Sequence, residues 1–438
     1  MPVEHRPLDR RKFLQAAGTA IALSAASYAS VPGANDRIRI GVLGCGGRAQ
    51  AHIHLIAKLG DEANIKVSAV CDVWDGHEGD YQHVTQGRTI TRKYSQGLFP
   101  SAVKAGLDPS DRKHVAKDYR RVLDLKEVDA VCIATPDHWH ARMTLDAFAA
   151  GKDVLVETPM TRTAAEARAV QESAARHDRV LAVAVQSLAD PSWKAARDLI
   201  RGGRIGPVAH LSAGVFRNDA RGQWRFYRLV DSMTPATIDW EMFLGHNFEV
   251  HGERIAPDRP FDPVLFAQWR CDRDFSNGPS TDLYVHPVTR LIAAAGLGFP
   301  TRVLAANGLY HERDGRTVPD VSTIVAEFDP GCQLVVTGTT ASAYPVEEVI
   351  RGRLGAIKFV KGGLQVIRDE NLPGRLEKPI EPTETIAVAP PANETEALWQ
   401  DFLNCVRRRD RNTLCPPDLG AAAVGVVATT ESAGSERK

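Results

Sequence analysis

The stretch IRIGVLGCGGRA, residues Ile38 to Ala49, decides how the rest of the chain is read. Ile38, Ile40 and Val42 alternate as a short strand, and the glycines follow at once. Gly44-Cys45-Gly46-Gly47-Arg48-Ala49 fits G-x-G-x-x-A: Gly44 for a tight turn, Gly46 for close approach of a pyrophosphate, Ala49 for close helix–strand packing. "RAQAHIHLIAKLG" then carries a helical stripe through Ile53, Ile56 and Leu59, stopped by Gly60. The N-terminus of that helix offers free N–H groups and a positive dipole end to phosphates. "IKVSAVCDV" is the next strand, so the segment is a right-handed βαβ unit of a parallel sheet. Asp72 ends that second strand. There it accepts from adenosine ribose hydroxyls and repels a 2′-phosphate, which favours NAD over NADP.

The scheme repeats downstream. A strand over Ala130–Ala134 is followed by a polar loop, a helix ending at Gly151 and a strand over Val154–Glu157. Thr163 and Glu166 form a capping box that opens another helix, and "VLAVAVQ" is a further strand. Open α/β sheets bind ligands at the C-terminal ends of their strands, so Thr135 to His140 and Glu157 to Thr161 belong at the cofactor crevice. After Pro207 the text turns to β. "VAHLSAGVF", "RVLAANGLYHE", "VSTIVAEFD", "CQLVVTGTTAS" and "AIKFV" read as strands, with Asp329-Pro330-Gly331 as a turn. Strands without intervening helices imply an antiparallel sheet. "PGRLEKPIEPTETIAVAPPANETE" reads as a surface connection, and "NETEALWQDFLNCVRRR" as a helix near the domain junction. The expected organisation is a targeting segment (1–34), a Rossmann domain (35–160), connecting helices and a strand (161–206), an α+β domain (207–392) and C-terminal helices (393–438).

The bulk numbers fit a two-domain globular protein: 438 residues, 43% hydrophobic and 25% charged. The 54 basic and 54 acidic residues balance, so nothing points to nucleic acid or a membrane surface. The N-terminus differs from the rest. Arg10, Arg11 and Lys12 precede an apolar run from Phe13 to Ala29, with Ser27-Tyr28-Ala29 placed as a cleavage site. Arg-Arg followed by Lys-Phe-Leu resembles the twin-arginine signal, an address for exporting folded proteins. It implies the twin-arginine machinery as a partner, a periplasmic or extracytoplasmic location and no stable membrane insertion. Seven cysteines show neither metal nor disulfide spacing. Cys45, Cys71 and Cys132 lie in apolar strand-like runs, as buried thiols do.

The glycine loop, "IATPDHWHA", "AGKDVLVETPMT" and "GRIGPV" together resemble the Gfo/Idh/MocA family of sugar and polyol dehydrogenases, over nearly everything after about Asn35. The resemblance implies an open, mainly antiparallel second sheet that closes the substrate pocket and pairs subunits of a homo-oligomer. It also implies that Pro136 and His140 line the nicotinamide side, and that Glu157 and Pro159 belong to the family's Glu-Lys-Pro signature. The lysine is replaced by Thr158. A lysine there bonds the reacting hydroxyl and favours its alkoxide; threonine is shorter and uncharged.

The chemistry candidate is "STDLYVHPVTRLIAAAGLG". On a helix Asp282 and His286 point the same way. A carboxylate beside a histidine orients the ring and raises its basicity, and such a ring suits proton removal from a secondary alcohol. Read alone, such a pair is more often a surface hydrogen bond than a catalyst; the resemblance assigns it substrate contact and acid/base work. Pro287 removes a backbone donor and is expected to kink or delay that helix. His138 and His140 lack the companions of a metal site, and no metal is expected. Trp269 and Arg270 offer a stacking face and hydroxyl-binding donors to a sugar, or else a packed aromatic and an ion pair. Gln186, ending a strand, is a further pocket candidate. These residues describe an exported NAD-dependent oxidoreductase with a sugar or polyol substrate. The alternatives are a NAD-using glycosidase or lyase that oxidises its substrate transiently, and a sugar-binding relative that lost catalysis with its lysine.

Overall fold

In the computed structural model, residues 37–85, 88–329, 331–369 and 383–428 are described. Arg10, Arg11 and the whole targeting segment lie outside them.

The first βαβ unit forms as its glycine turn requires: β1 (Ile38–Leu43), α1 (Gly47–Leu59) and β2 (Ile65–Cys71). β5 (Val115–Ala116), β6 (Ala130–Ile133), β7 (Asp153–Val156) and β8 (Leu181–Val183) complete a six-stranded sheet in the order β5-β2-β1-β6-β7-β8, parallel at every pairing. This is a doubly wound Rossmann sheet, and its order reverses at β1/β6, where ligands bind. Register places the site: Leu43 pairs with both Cys71 and Ile133, and Ile133 with Val156. Gly44, Asp72, Ala134 and Glu157, each one residue beyond those ends, therefore line up along one sheet edge. β6, β7 and β8 are buried throughout because helices cover both faces. The covering helices include α2 (Leu98–Lys104), α3 (Tyr119–Leu123), α4 (Asp137–Ala149) and α5 (Ala164–His177). The capping box of α5 forms as read, with Thr163 and Glu166 bonding reciprocally.

A hairpin of β3 (His77–Thr85) and β4 (Arg88–Gln96) rises between β2 and α2. Its polar, charged text gives no apolar alternation, so the sequence reading passed over it.

α6 (Ser192–Arg201) leads to the second sheet. It comprises β9 (Val208–Phe216), β12 (Arg302–Gly308), β13 (Val321–Phe328), β14 (Cys332–Thr339), β15 (Val349–Gly352), β16 (Gly355–Val360), β17 (Gly363–Arg368) and β18 (Thr383–Ala387). The order is β12-β13-β14-β9-β15-β16-β17-β18. β14 and β9 pair in parallel and the other pairings are antiparallel. α7 (Trp240–Leu244), the short ribbon β10 (Glu249–Val250) and β11 (Glu253–Arg254), α8 (Pro263–Ala267) and α9 (Val285–Ala295) lie between β9 and β12. One face of the sheet packs on α9: Ile324, Ala326, Leu334 and Val336 share a core with Val288, Leu291 and Ile292.

Three segments differ from the reading. β8 is the sixth strand of the first sheet, so the Rossmann unit runs past the expected boundary at 160. Residues 383–387, expected in a surface connection, form the edge strand β18. Edge strands are short and polar, and they read as loop. Of the C-terminal helices α10 (Glu394–Arg408) and α11 (Pro417–Val427), α10 joins the Rossmann core, where Leu398, Trp399 and Phe402 pack with Ile40, Ile53 and Ile56.

Candidate functional site

The floor of the cleft is the glycine loop. Gly44 has φ +83°, and a Cβ there would lie 2.7 Å from the Ala134 carbonyl oxygen, so only glycine fits. At Gly46 a Cβ would meet nothing within 4 Å; the loop faces open space where a phosphate can approach. Gly44, Gly46, Gly47, Arg48 and Asp72 line this cleft together with Thr135 and Pro136. Cys45 is fully buried, and its backbone N–H donates to Asp72 Oδ2 at 2.5 Å. Asp72 Oδ1 accepts from the Trp74 N–H at 2.8 Å. Burial raises the Asp72 carboxyl to about 6, against the two N–H donors and Lys117.

α4 begins at Asp137, so the "polar loop" is in part its first turn, where His138, Trp139 and His140 are all buried. His138 Nε2 and Trp139 Nε1 both donate to the Phe243 carbonyl, at 3.0 Å each. Burial lowers His138 to about 3. His140 faces two carbonyls, with Nδ1 at 2.6 Å from Pro159 O and Nε2 at 3.0 Å from Thr135 O. Its ring thus braces the loop after β6 against the loop after β7, where the resemblance implied a nicotinamide contact. Among the described residues no group of three or more histidine, cysteine or acidic side chains is placed to hold a metal.

Glu157 is the electrostatic centre of the edge. Its Oε1 accepts from Arg48 Nε at 2.5 Å, His52 Nε2 at 2.7 Å and Gln186 Nε2 at 3.4 Å, and Oε2 accepts from the Thr158 N–H at 3.2 Å. Burial opposes its charge, but the hydrogen bonds from His52 and Arg48 and the Arg48 guanidinium charge outweigh that and hold it below the usual carboxylate range. Thr158 Oγ1 lies 3.5 Å from His286 Nε2. The structure therefore brings the glycine loop, the altered Glu-Thr-Pro signature and His286 into one constellation. Burial lowers the His286 pKa, while Glu157 and Asp282 act to raise it.

Asp282 and His286 share a neighbourhood but no hydrogen bond. Ser280–Tyr284 is a π-helical turn running into α9, a distortion common at functional sites. Pro287, which cannot donate a backbone hydrogen bond, follows that π-helical turn closely, so the helix is distorted there rather than ended. Asp282 Oδ1 accepts from Arg270 Nε at 2.8 Å and Oδ2 from Trp224 Nε1 at 2.8 Å. The expected orientation of the histidine by this carboxylate is thus replaced by a clamp on Asp282 from elsewhere. Arg270 also lies over the Trp269 ring, 4.1 Å from its centroid, and both residues line the cleft. Nearby Asp137, fully buried, accepts from Ser276 at 3.1 Å; burial pushes it up to about 8. Gln186 is turned toward Glu157.

A dinucleotide fits this edge on three observations: the open approach at Gly46, and two buried polar atoms without partners, Arg48 Nη2 and Thr135 Oγ1, on cleft-lining residues. Residues 38–185 match the family described as "Oxidoreductase family, NAD-binding Rossmann fold", the GFO_IDH_MocA family. Residues 38–185 form the NAD-binding Rossmann domain that this family model describes. Its cofactor is NAD. Among curated proteins the chain is similar to a glycosyl hydrolase family 109 protein of Shewanella baltica strain OS185, 28% identical over 250 residues, 50% of each chain. It is 25% identical over 250 residues, again 50% of each chain, to an alpha-N-acetylgalactosaminidase of Shewanella oneidensis. The chain thus spans about half the length of the curated relatives it matches. Among solved structures, levoglucosan dehydrogenase in complex with NADH and levoglucosan has a TM-score of 0.59 at 17% identity, covering 89% of this chain and 94% of that one. An aldose-aldose oxidoreductase from Caulobacter crescentus has a TM-score of 0.57 at 17% identity, with 89% and 94% covered. At these identities the structures show a shared fold, and it extends through the second sheet.

Sequence reasoning missed His52, Trp224 and Trp399. His52 left a signal: a histidine within the buried stripe of α1, beside Ala49, Ile53 and Ile56. Trp224 and Trp399 left none, since what they bond lies far along the chain.

Proposed function

We propose that this chain is a NAD-dependent enzyme acting on a secondary hydroxyl of a sugar or polyol, with His286 as its acid/base. The approach of His286 Nε2 to Thr158 Oγ1 at the cofactor edge carries the reading. NAD, when bound, would supply the hydride acceptor for the substrate carbon. Proton removal falls on His286, because Thr158 supplies no cation to the reacting oxygen. Its lowered pKa keeps the imidazole neutral, and so able to accept, at neutral pH. Arg270 offers donors to sugar hydroxyls, and Asp282 holds that guanidinium in place.

A second reading begins with the same step. Oxidation of the hydroxyl carbon to a ketone acidifies the neighbouring C–H; loss of that proton expels the glycosidic substituent. Water then adds and the hydride returns, so the glycoside is cleaved with no net redox change. The names of the curated relatives favour it. Incubation with polyols and with aryl glycosides separates the two: keto product with NADH, or free aglycone with none. Sugar binding without either product refutes both and leaves a sugar-binding protein.

We also propose that the chain is exported folded and NAD-loaded through its twin-arginine segment. All seven cysteines are buried and free, as suits folding in a reducing compartment. Among the described residues no helix is long and apolar enough to cross a membrane. Replacing Arg10 and Arg11 with lysine keeps charge but loses both guanidinium groups. The double variant should accumulate inside the cell with NAD bound; unchanged export on fractionation overturns this.

A further inference from the structure

Trp399, on α10, donates its indole N–H to His52 Nδ1 at 2.9 Å. An indole nitrogen only donates, so Nδ1 must present its lone pair, and neutral His52 carries its proton on Nε2. That proton is donated to Glu157 Oε1 at 2.7 Å. Both rings are completely buried, and Trp399 belongs to an apolar cluster that includes Ile40, Ile53, Ile56 and Phe402. Packing alone requires neither polar atom. A phenylalanine would fill the place of Trp399 against Phe402, and a leucine would suit the stripe of α1. Buried polar atoms are kept where they are bonded to a purpose or cost stability.

We propose that His52 and Trp399 are positioning residues of the candidate active site: the indole fixes the tautomer of His52, His52 and Arg48 fix the Glu157 carboxylate, and that charge acts on His286 across Thr158. The path is continuous. Glu157 Oε2 accepts from the Thr158 N–H, and the Thr158 hydroxyl faces His286. Second-layer donors of this kind set ring orientation and basicity at other histidine–carboxylate sites. The groups facing Glu157 are His52 and Arg48 from α1, Gln186 after β8, and, through space, Cys132 of β6, His140 of α4 and His286. Those acting on His286 are Glu157, Asp282, Arg48 and Arg217. Glu157 raises the proton affinity that burial lowers, so loosening or neutralising it lowers the His286 midpoint.

The catalytic meaning rests on His286 being the base proposed above, but the test needs no turnover. The full chain, purified with its NAD and labelled with ¹⁵N at histidine, is titrated by NMR, with His286→Asn identifying that signal. Wild-type His52 is expected as the neutral Nε2–H tautomer. Trp399→Phe should mix its tautomers and lower the His286 midpoint by a few tenths of a unit. Glu157→Gln should lower that midpoint by about one unit. A wild-type His52 protonated on Nδ1, or a His286 midpoint unmoved in Trp399→Phe and Glu157→Gln alike, overturns the proposal. If Glu157→Gln does not fold, Trp399→Phe decides alone, since it keeps the ring and reports on both histidines. Expected shifts alongside full turnover in His286→Ala would sink the base assignment and leave the positioning network standing.

Discussion

Two carboxylates flank His286, Glu157 buried and Asp282 half-buried, and they are held in opposite ways. Glu157 ends a Rossmann strand and takes its donors from α1 and the turn after β8, elements packed in the central core. Asp282 sits on a π-helical turn and takes its donors from Trp224 and Arg270, on segments outside both sheets. Trp224 holds φ +66° while fully buried, a conformation that costs about 1–3 kcal/mol for such a residue. The floor of the site is thus fixed by regular structure, and the wall by side-chain clamps that store strain. Substitutions in the floor should act on cofactor and charge, and those in the wall on substrate.

The largest effect is expected where the two regions meet. His286→Ala should lower turnover roughly a hundredfold or more, with the NAD content of the purified protein unchanged. In the wild type, burial sets the sign of the pH profile: the acid limb falls below the ordinary imidazole value, because His286 stays neutral further into acid. An acid limb at or above that value, or near-normal turnover in His286→Ala, breaks the division between floor and wall.

The floor makes its own prediction at Asp72. Its pKa, raised to about 6 by burial, leaves the carboxylate protonated below that pH and unable to accept from both ribose hydroxyls. NAD affinity should therefore weaken about tenfold by pH 5 and level off above pH 7. Equilibrium dialysis across this range checks it, and Asp72→Asn should flatten the profile. Folding stability runs the opposite way. The folded state binds the extra proton between the ordinary carboxylate pKa and about 6, so Asp72 makes folding less favourable as pH rises through that window.

The two regions also differed in how far they could be read from sequence. The floor was legible because glycine-turn chemistry is local: Gly44, Gly46 and Asp72 stand where a short strand, a turn and a helix require them. The second sheet was legible in outline through β9, β13 and β14, whose apolar text is continuous. The hairpin β3–β4 and the edge strand β18 were not, because exposed polar strands lack alternation. In the wall, spacing put Asp282 and His286 on one face but could not show that Trp224 and Arg270 claim both carboxylate oxygens. His52 and Trp399 meet only because α10 returns to the Rossmann core.

In the wall, Trp224→Phe removes the indole donor to Asp282 while keeping an aromatic ring. One Asp282 oxygen loses its bond, and Arg270 gains freedom over Trp269. The net loss of one hydrogen bond to a charged group is worth about 1.5–3 kcal/mol. Much of it should appear as a rise in KM, with the NAD content and the His286 limb unmoved. A changed NAD content would mean that floor and wall are not separable.

The smallest expected effect is also the most telling, because Thr158 belongs to both regions. Its backbone N–H bonds Glu157 in the floor, and its hydroxyl faces His286. Thr158→Lys places a cation between a carboxylate held below its usual range and an imidazole already lowered by burial. The cation should lower the His286 pKa further, because like charge disfavours the imidazolium. It would also stand beside the reacting oxygen and favour an alkoxide. The first effect weakens His286 as a base, but the second acts directly on the reacting oxygen and outweighs it, so NAD reduction with simple polyols should rise a few-fold, and the acid limb should move down. If the chain is instead built to return its hydride and cleave glycosides, a stabilised alkoxide does nothing for departure of the aglycone, and that activity should stay level or fall. Side-by-side assays of the two proteins on polyols and aryl glycosides decide it. A wild type that already reduces NAD briskly, with the lysine variant slower, would show that threonine is the working residue of a dehydrogenase and that floor and wall were tuned together around an uncharged side chain.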